Sequence, residues 1–271
     1  MTTQRLTRRG LIGGIAATTA IASGFGVARA QSGSKTFVLV SSAFLGGWCW
    51  RRVSDLLERD GHKVFAPTLT GLGERSHLLS KSVDLSTHIE DIVNVVKWEN
   101  LTNVCLVAHS YGGFPASGAL EQIGDRVSSI VWLDAFKPEN GQRMRDTAGG
   151  PFLASLTGAI ERGEAAFPFP FQAKIPPLMV SEKDAALVVA KATAHPVSSY
   201  LQAIKIDGAR ERVAKKTFIR IPKFPSPAHL DKALAECKAD NSWSTSELAG
   251  AGHLAMLDAP EQVSQMLLRA A

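Results

Sequence analysis

The chain has 271 residues, 45% of them hydrophobic and 20% charged, a composition that suits one large globular domain and excludes a disordered or fibrous protein. Its net charge of +5 owes most to the first thirty residues, where Arg5, Arg8, Arg9 and Arg29 stand without an acid; the remainder holds 26 basic against 25 acidic residues, which removes the main support for a nucleic-acid-binding surface. Three cysteines without metal-ligand spacing exclude a disulfide framework and offer no metal site.

Thr7-Arg8-Arg9-Gly10 opens a stretch without charge from Gly10 to Ala28, and Ala28-Arg29-Ala30 closes it with small residues. The order of charged start, modestly apolar middle and cleavable end is that of a signal peptide. The adjacent arginines resemble a twin-arginine signal, which implies that export machinery of that type takes the folded precursor to the periplasm or beyond. The middle is rich in Gly, Ala, Thr and Ser, which argues against a permanent spanning helix. The expected division is a signal at 1–30 and a mature domain at 31–271.

In the mature chain, short β-branched or aromatic runs recur at 37–40, 63–66, 104–107, 129–133, 217–221 and 243–248. Most are separated by segments of helical period. Ile89, Ile92, Val93 and Val96 follow i, i+3, i+4, i+7, with Thr87 and Glu90 spaced as a capping box. Leu230, Ala233, Leu234 and Cys237 repeat the pattern, as do Val263, Met266, Leu267 and Ala270 after Pro260, a residue suited to a first helical turn. Apolar strands alternating with helices predict an α/β fold whose mostly parallel sheet is covered on both faces. The alternation lapses at about 137–208, where Phe167-Pro168-Phe169-Pro170-Phe171 and Pro176-Pro177 precede a helix expected near 184–193. Seventy residues is too long for a plain connection, so this stretch reads as a helical cap inserted over the sheet edge.

Val104-Cys105-Leu106-Val107-Ala108-His109-Ser110-Tyr111-Gly112-Gly113 is a buried-strand pattern that ends in a serine flanked by small residues and runs into a helical segment. A serine on such a sharp turn needs small neighbours, and the helix N-terminus that follows favours an oxyanion beside it. A serine hydroxyl needs a base to take its proton. Of seven histidines, His253 stands in the glycine-bracketed loop Gly250-Ala251-Gly252-His253, between the last strand and the terminal helix, and is the expected base. His109 is assigned to packing, and His62, His77, His88, His195 and His229 are expected in solvent. An acid must hold the imidazole tautomer. The segment Ile221-Pro222-Lys223-Phe224-Pro225 offers none, which leaves Asp134 at the end of Ile130-Val131-Trp132-Leu133, with Asp231 as the substitute.

With these residues placed, the chain from about Lys35 onward is similar to α/β-hydrolases of the esterase and hydroxynitrile-lyase branch, related to plant methylesterases. Matching stretches are Gly46-Gly47-Trp48-Cys49-Trp50, Ala66 to Arg75, His109 to Gly113, Leu133-Asp134-Ala135-Phe136, Pro138 to Gly141, and Gly252-His253 with Met256 and Pro260. The resemblance implies hydrolysis of carboxylic esters without a cofactor or metal, by Ser110, His253 and Asp134, with the backbone N–H groups of Ala43 and Tyr111 as oxyanion hole. Ser41-Ser42 stands where the branch usually has His-Gly. Ser42 favours a lyase, whose relatives carry a threonine there, whereas Leu254 replaces the lysine that those lyases place after the histidine. Ser42, Phe44, Trp48, Phe136 and Leu254 are the expected substrate contacts, for an apolar or aromatic ester. A C–C lyase and a non-catalytic small-molecule receptor remain the alternatives, and the oligomeric state stays open.

Overall fold

The computed structural model describes residues 33–147, 149–176, 179–223 and 228–271; the expected export signal at 1–30 lies outside them. In chain order the strands and helices are β1 (Thr36–Val40), α1 (Arg51–Arg59), β2 (Lys63–Phe65), α2 (Leu85–Trp98), β3 (Val104–His109), α3 (Gly113–Ile123), β4 (Val127–Leu133), α4 (Met144–Thr147), α5 (Gly150–Glu161), β5 (Ala166–Phe167), α6 (Glu182–Lys191), β6 (His195–Pro196), α7 (Val197–Leu201), α8 (Ala209–Arg212), β7 (Lys215–Arg220), α9 (Ala228–Ala239), β8 (Trp243–Glu247), α10 (Ala255–Asp258) and α11 (Pro260–Ala270). Six strands pair in parallel in the order β2-β1-β3-β4-β7-β8. The short β5 and β6 form a separate antiparallel ribbon.

The centre of the sheet follows from composition. Every residue of β3 is buried, as suits a strand with helices on both faces. It pairs with β1 from Val104 to Ala108 and with β4 as far as His109, so its C-terminal end opens in the middle of one edge of the sheet. The helix after it approaches closely because its residues are small. A Cβ on Gly118 would lie 2.3 Å from Cδ1 of Ile89, so α3 packs closely on the Ile89 side chain of α2, which would have to shift to admit a larger residue.

Several boundaries differ from the sequence reading. The capping box on α2 is Asp84 with Thr87, not Thr87 with Glu90: the Asp84 carboxylate accepts from Thr87 N at 3.0 Å. An aspartate at the N-cap combines hydrogen bonding with a favourable charge at the helix start, so the helix begins a turn earlier than expected. Helix α6 spans Glu182–Lys191, shifted back by two residues from 184–193. Strand β7 begins at Lys215 and its last paired residue is Arg220, so the arginine, not Ile221, ends it.

Candidate active site

Strand β3 delivers Ser110 with φ of +53°, a left-handed conformation uncommon for a residue with a Cβ and held only where the surroundings fix it. The surroundings here are backbone. A Cβ on Gly112 would meet Ser41 O at 2.7 Å, and one on Gly113 would meet Phe136 O at 1.9 Å. The chain after Ser110 is therefore pressed between the ends of β1 and β4, and Phe136 N donates to Ser110 O at 3.0 Å. The two glycines of the motif answer two separate close approaches.

His253 is brought in by the loop after β8. Its Nδ1 lies 2.7 Å from Asp134 Oδ2, so Nδ1–H donates to the carboxylate, which makes Nε2 the acceptor nitrogen of the ring. Asp134 is fully buried and has φ of +46°, with its amide donating to Ile219 O at 2.7 Å. Its Oδ1 accepts from Arg220 Nη1 at 2.8 Å and from Ile221 N at 3.1 Å. Burial works to raise the Asp134 carboxyl; the hydrogen bond and charge of His253, the Arg220 guanidinium and the Ile221 amide outweigh it and hold the group below the ordinary aspartate range. Asp231, the substitute acid, has an exposed side chain and accepts from Arg220 Nε at 3.1 Å.

His109, just before the serine, is also part of this layer. Its Nε2–H donates to the backbone carbonyl of His253 at 2.9 Å, and the two rings lie 4.6 Å apart. Burial, then the neighbouring imidazole, pushes His109 down to about 3, so it acts as a neutral brace. The His253 loop is fixed from the other side as well: Leu254 N donates to Met179 O, and the Asp258 carboxylate accepts from both Gly252 N and Ser181 N. The segment between β4 and β7 thus holds the imidazole-bearing loop directly.

Ser110 and His253 line one cavity of about 260 Å³. Ser42, Ala43, Phe44, Tyr111, Phe136 and Leu254 line it too, as does the segment between β4 and β7 through Phe152, Phe169 and Phe171. Among the described residues, no Asp, Glu, Lys or Arg lines it. Trp48, expected among the substrate contacts, is not among the residues that line it. Gly47 sits so close to Ala66 O that an added Cβ would be 2.0 Å away, and in this tight turn the Trp48 indole lies under Lys191 Nζ of α6, 5.4 Å from the ring centroid.

Four of the five histidines expected in solvent are not there. His88 and His195 are fully buried, and His62 is nearly so. Nε2–H of His88 donates to Thr70 O, leaving Nδ1 to accept from Tyr111 OH at 2.8 Å. His195 accepts from Phe44 N at Nδ1 and stacks on Tyr200 with centroids 4.4 Å apart. His229 stacks on Phe136 at 4.2 Å and reaches the cavity. Only His77 of that group is exposed. His88 had a legible signal, since Leu85, His88, Ile92 and Val96 share one helical stripe. Arg220 had a weaker one: an arginine closing the apolar run Phe218-Ile219 needs a buried counter-charge.

The geometry has the layout of a hydrolase, and comparison with known proteins agrees. The α/β hydrolase family model matches residues 37–266, and the chain belongs to that family. A carbendazim hydrolyzing esterase from Nocardioides sp. (strain SG-4G) is 30% identical over 240 residues, covering 85% of this chain and 97% of that protein. Methylesterase 8 of Arabidopsis thaliana is 34% identical over 104 residues, 38% of each chain. Among solved structures, an extracellular α/β-hydrolase from a Paenibacillus species has a TM-score of 0.75 at 20% identity, covering 88% of this chain and 99% of that one. Polyneuridine aldehyde esterase gives 0.68 at 23%, with 88% and 99% covered. The chain is an esterase-like α/β hydrolase.

Proposed function

We propose that the protein is a serine hydrolase that cleaves a carboxylic ester or related acyl compound through an acyl-enzyme on Ser110. Ser110 attacks the carbonyl, Nε2 of His253 takes its proton and later returns it to the leaving alcohol, and Asp134 holds the imidazole by Nδ1–H. Ala43 and Tyr111 supply backbone N–H groups to the developing oxyanion. Water, activated by the same imidazole, then releases the acid. The observation that carries this reading is the 2.7 Å contact between buried Asp134 and His253, whose side chain lines the same cavity as Ser110.

The uncharged, aromatic wall supports an apolar or aromatic acyl or alcohol group, in keeping with the activity for which the Nocardioides relative is named. The lyase reading draws no support from the wall. The Ser42 hydroxyl donates to its neighbour's carbonyl, Ala43 O, at 3.1 Å, and Leu254 offers no charge for a cyanide leaving group. A panel of methyl and p-nitrophenyl esters with a cyanohydrin tests both points: aryl esters should turn over at least tenfold faster in kcat/KM than a dicarboxylate monoester, with no cyanide released. Equal rates for the two ester classes, or cyanohydrin cleavage, would overturn the proposal. The arginine pair and Ala28-Arg29-Ala30 support twin-arginine export with cleavage after Ala30; N-terminal sequencing of the native periplasmic protein should read Gln31, and an intact start in the cytoplasm would exclude it.

A further inference from the structure

Arg220 closes a buried strand and is only 4% exposed. Its guanidinium meets both acids that the sequence offered for the catalytic role. Nη1 donates to Asp134 Oδ1 and to the carbonyl of Ile221, and Nε donates to Asp231 Oδ1. One oxygen of Asp134 is thus given to a cation and a backbone amide, and the other to His253. The acid proposed to favour a charged imidazole therefore shares its charge with a guanidinium. A lone carboxylate stabilises the imidazolium with its full charge, whereas a carboxylate already bound to a guanidinium does so with much less.

We propose that Arg220 is a positioning residue for the acid–base pair: it turns Oδ2 of Asp134 toward His253 and tempers the carboxylate's charge, so that the imidazole stays an unprotonated base, and hydrolysis persists, at lower pH than a lone aspartate would permit. Asp231, on the solvent side of the guanidinium, is the counterweight that sets how strongly Arg220 acts. The inference rests on the reading of Ser110, His253 and Asp134 as hydrolytic machinery.

The other charged and titratable groups near His253 do not reproduce this effect. His109, at the end of β3, faces its ring but burial holds it neutral down to about 3. His229, on α9 beyond Asp134, is likewise pushed down to about 4 by burial. Asp258 on α10 is occupied by the amides of Gly252 and Ser181 and keeps those partners when Arg220 or Asp231 is substituted. The adjustable chain is His253–Asp134–Arg220–Asp231.

The test is the acid limb of the kcat/KM profile on one aryl ester in full-length mature protein, with the imidazole titration of His253 followed by NMR as a readout independent of turnover. Removing the guanidinium in Arg220→Met should move the limb and the titration up by about one pH unit, because the carboxylate then favours the charged ring fully. Asp231→Asn should move both down by about 0.3 unit, since the guanidinium loses its screened counter-charge. Arg220→Lys should restore the limb but with kcat reduced several-fold, as an ammonium cannot reproduce the fork. A merely structural arginine would lower stability or kcat without opposite pH shifts. Unchanged profiles in Asp231→Asn, an exposed position where folding is secure, or shifts of the same sign in Asp231→Asn and Arg220→Met, would overturn the inference. Absence of ester turnover in the wild type would instead sink the functional reading, while the NMR titrations would still decide independently whether Arg220 tunes the imidazole.

Discussion

At the scale of the residue, the division of labour between Asp134 and Asp231 is the sharpest structural result. Both acids were legible in the sequence, but only the fold shows that Asp134 touches His253 while Asp231 touches Arg220. Asp134→Asn should retain the fold and lower kcat by about 10²- to 10⁴-fold, because an amide no longer enforces the tautomer with Nδ1 protonated. Asp231→Asn should stay within a fewfold of wild type at neutral pH. Steady-state kinetics on a single ester decides; a collapse in the Asp231 variant with Asp134→Asn active would reverse the assignment. Ser110 and His253 could be read from local motifs because a tight turn and a glycine-bracketed loop leave traces in adjacent residues. The role of Arg220 could not, because its neighbours in sequence say only that a counter-charge is needed, and the partners that supply it lie across the sheet and on α9.

At the scale of the element, the turn between β3 and α3 concentrates the constraints. Ser110 and Asp134 both hold positive φ, and the two strand ends that carry them are tied by Phe136 N donating to Ser110 O. Gly113 fits this junction because its missing side chain faces Phe136 O. Gly113→Ala should therefore destabilise the protein by roughly 1–3 kcal/mol through overpacking, and should lower kcat further than its stability loss explains, since relief of the clash displaces Phe136 and with it the serine's carbonyl partner. Urea unfolding combined with kinetics checks both parts; a variant with wild-type stability and activity would contradict the close approach. The parallel sheet and helices α2, α9 and α11 were readable from periodicity. The β5–β6 ribbon was not, because a two-residue pairing between Ala166–Phe167 and His195–Pro196 has no period to detect.

At the scale of the whole molecule, several imidazoles are buried among the described residues. His88, His109 and His195 are fully buried, and burial lowers all three, with His109 reaching about 3 and the partly buried His229 about 4. In the unfolded chain these side chains take up protons near the ordinary histidine value of about 6.5. Below that pH the unfolded state binds protons that the folded state refuses, so stability falls as pH falls, and it is fully present only above about pH 6.5. The lowered carboxylates Asp134 and Asp184 add a further loss only as pH drops below the ordinary aspartate value of about 4. Denaturant midpoints should thus be level from about pH 8 to 7 and decline steadily from about 6.5 to 4.5. A flat midpoint across that lower window would mean that the buried rings are accommodated in their charged form.

The claim on which the functional account stands is that turnover passes through a covalent acyl group on Ser110, and intact-protein mass spectrometry after rapid quenching tests it most directly. With an activated aryl ester, His253→Ala should slow deacylation enough for one added acyl mass to accumulate, and peptide mapping should place it on Ser110; a fluorophosphonate should label the same residue in the wild type and leave Ser110→Ala unlabelled. Ester turnover that continues in Ser110→Ala, or an adduct mapped to any other residue, would contradict the account.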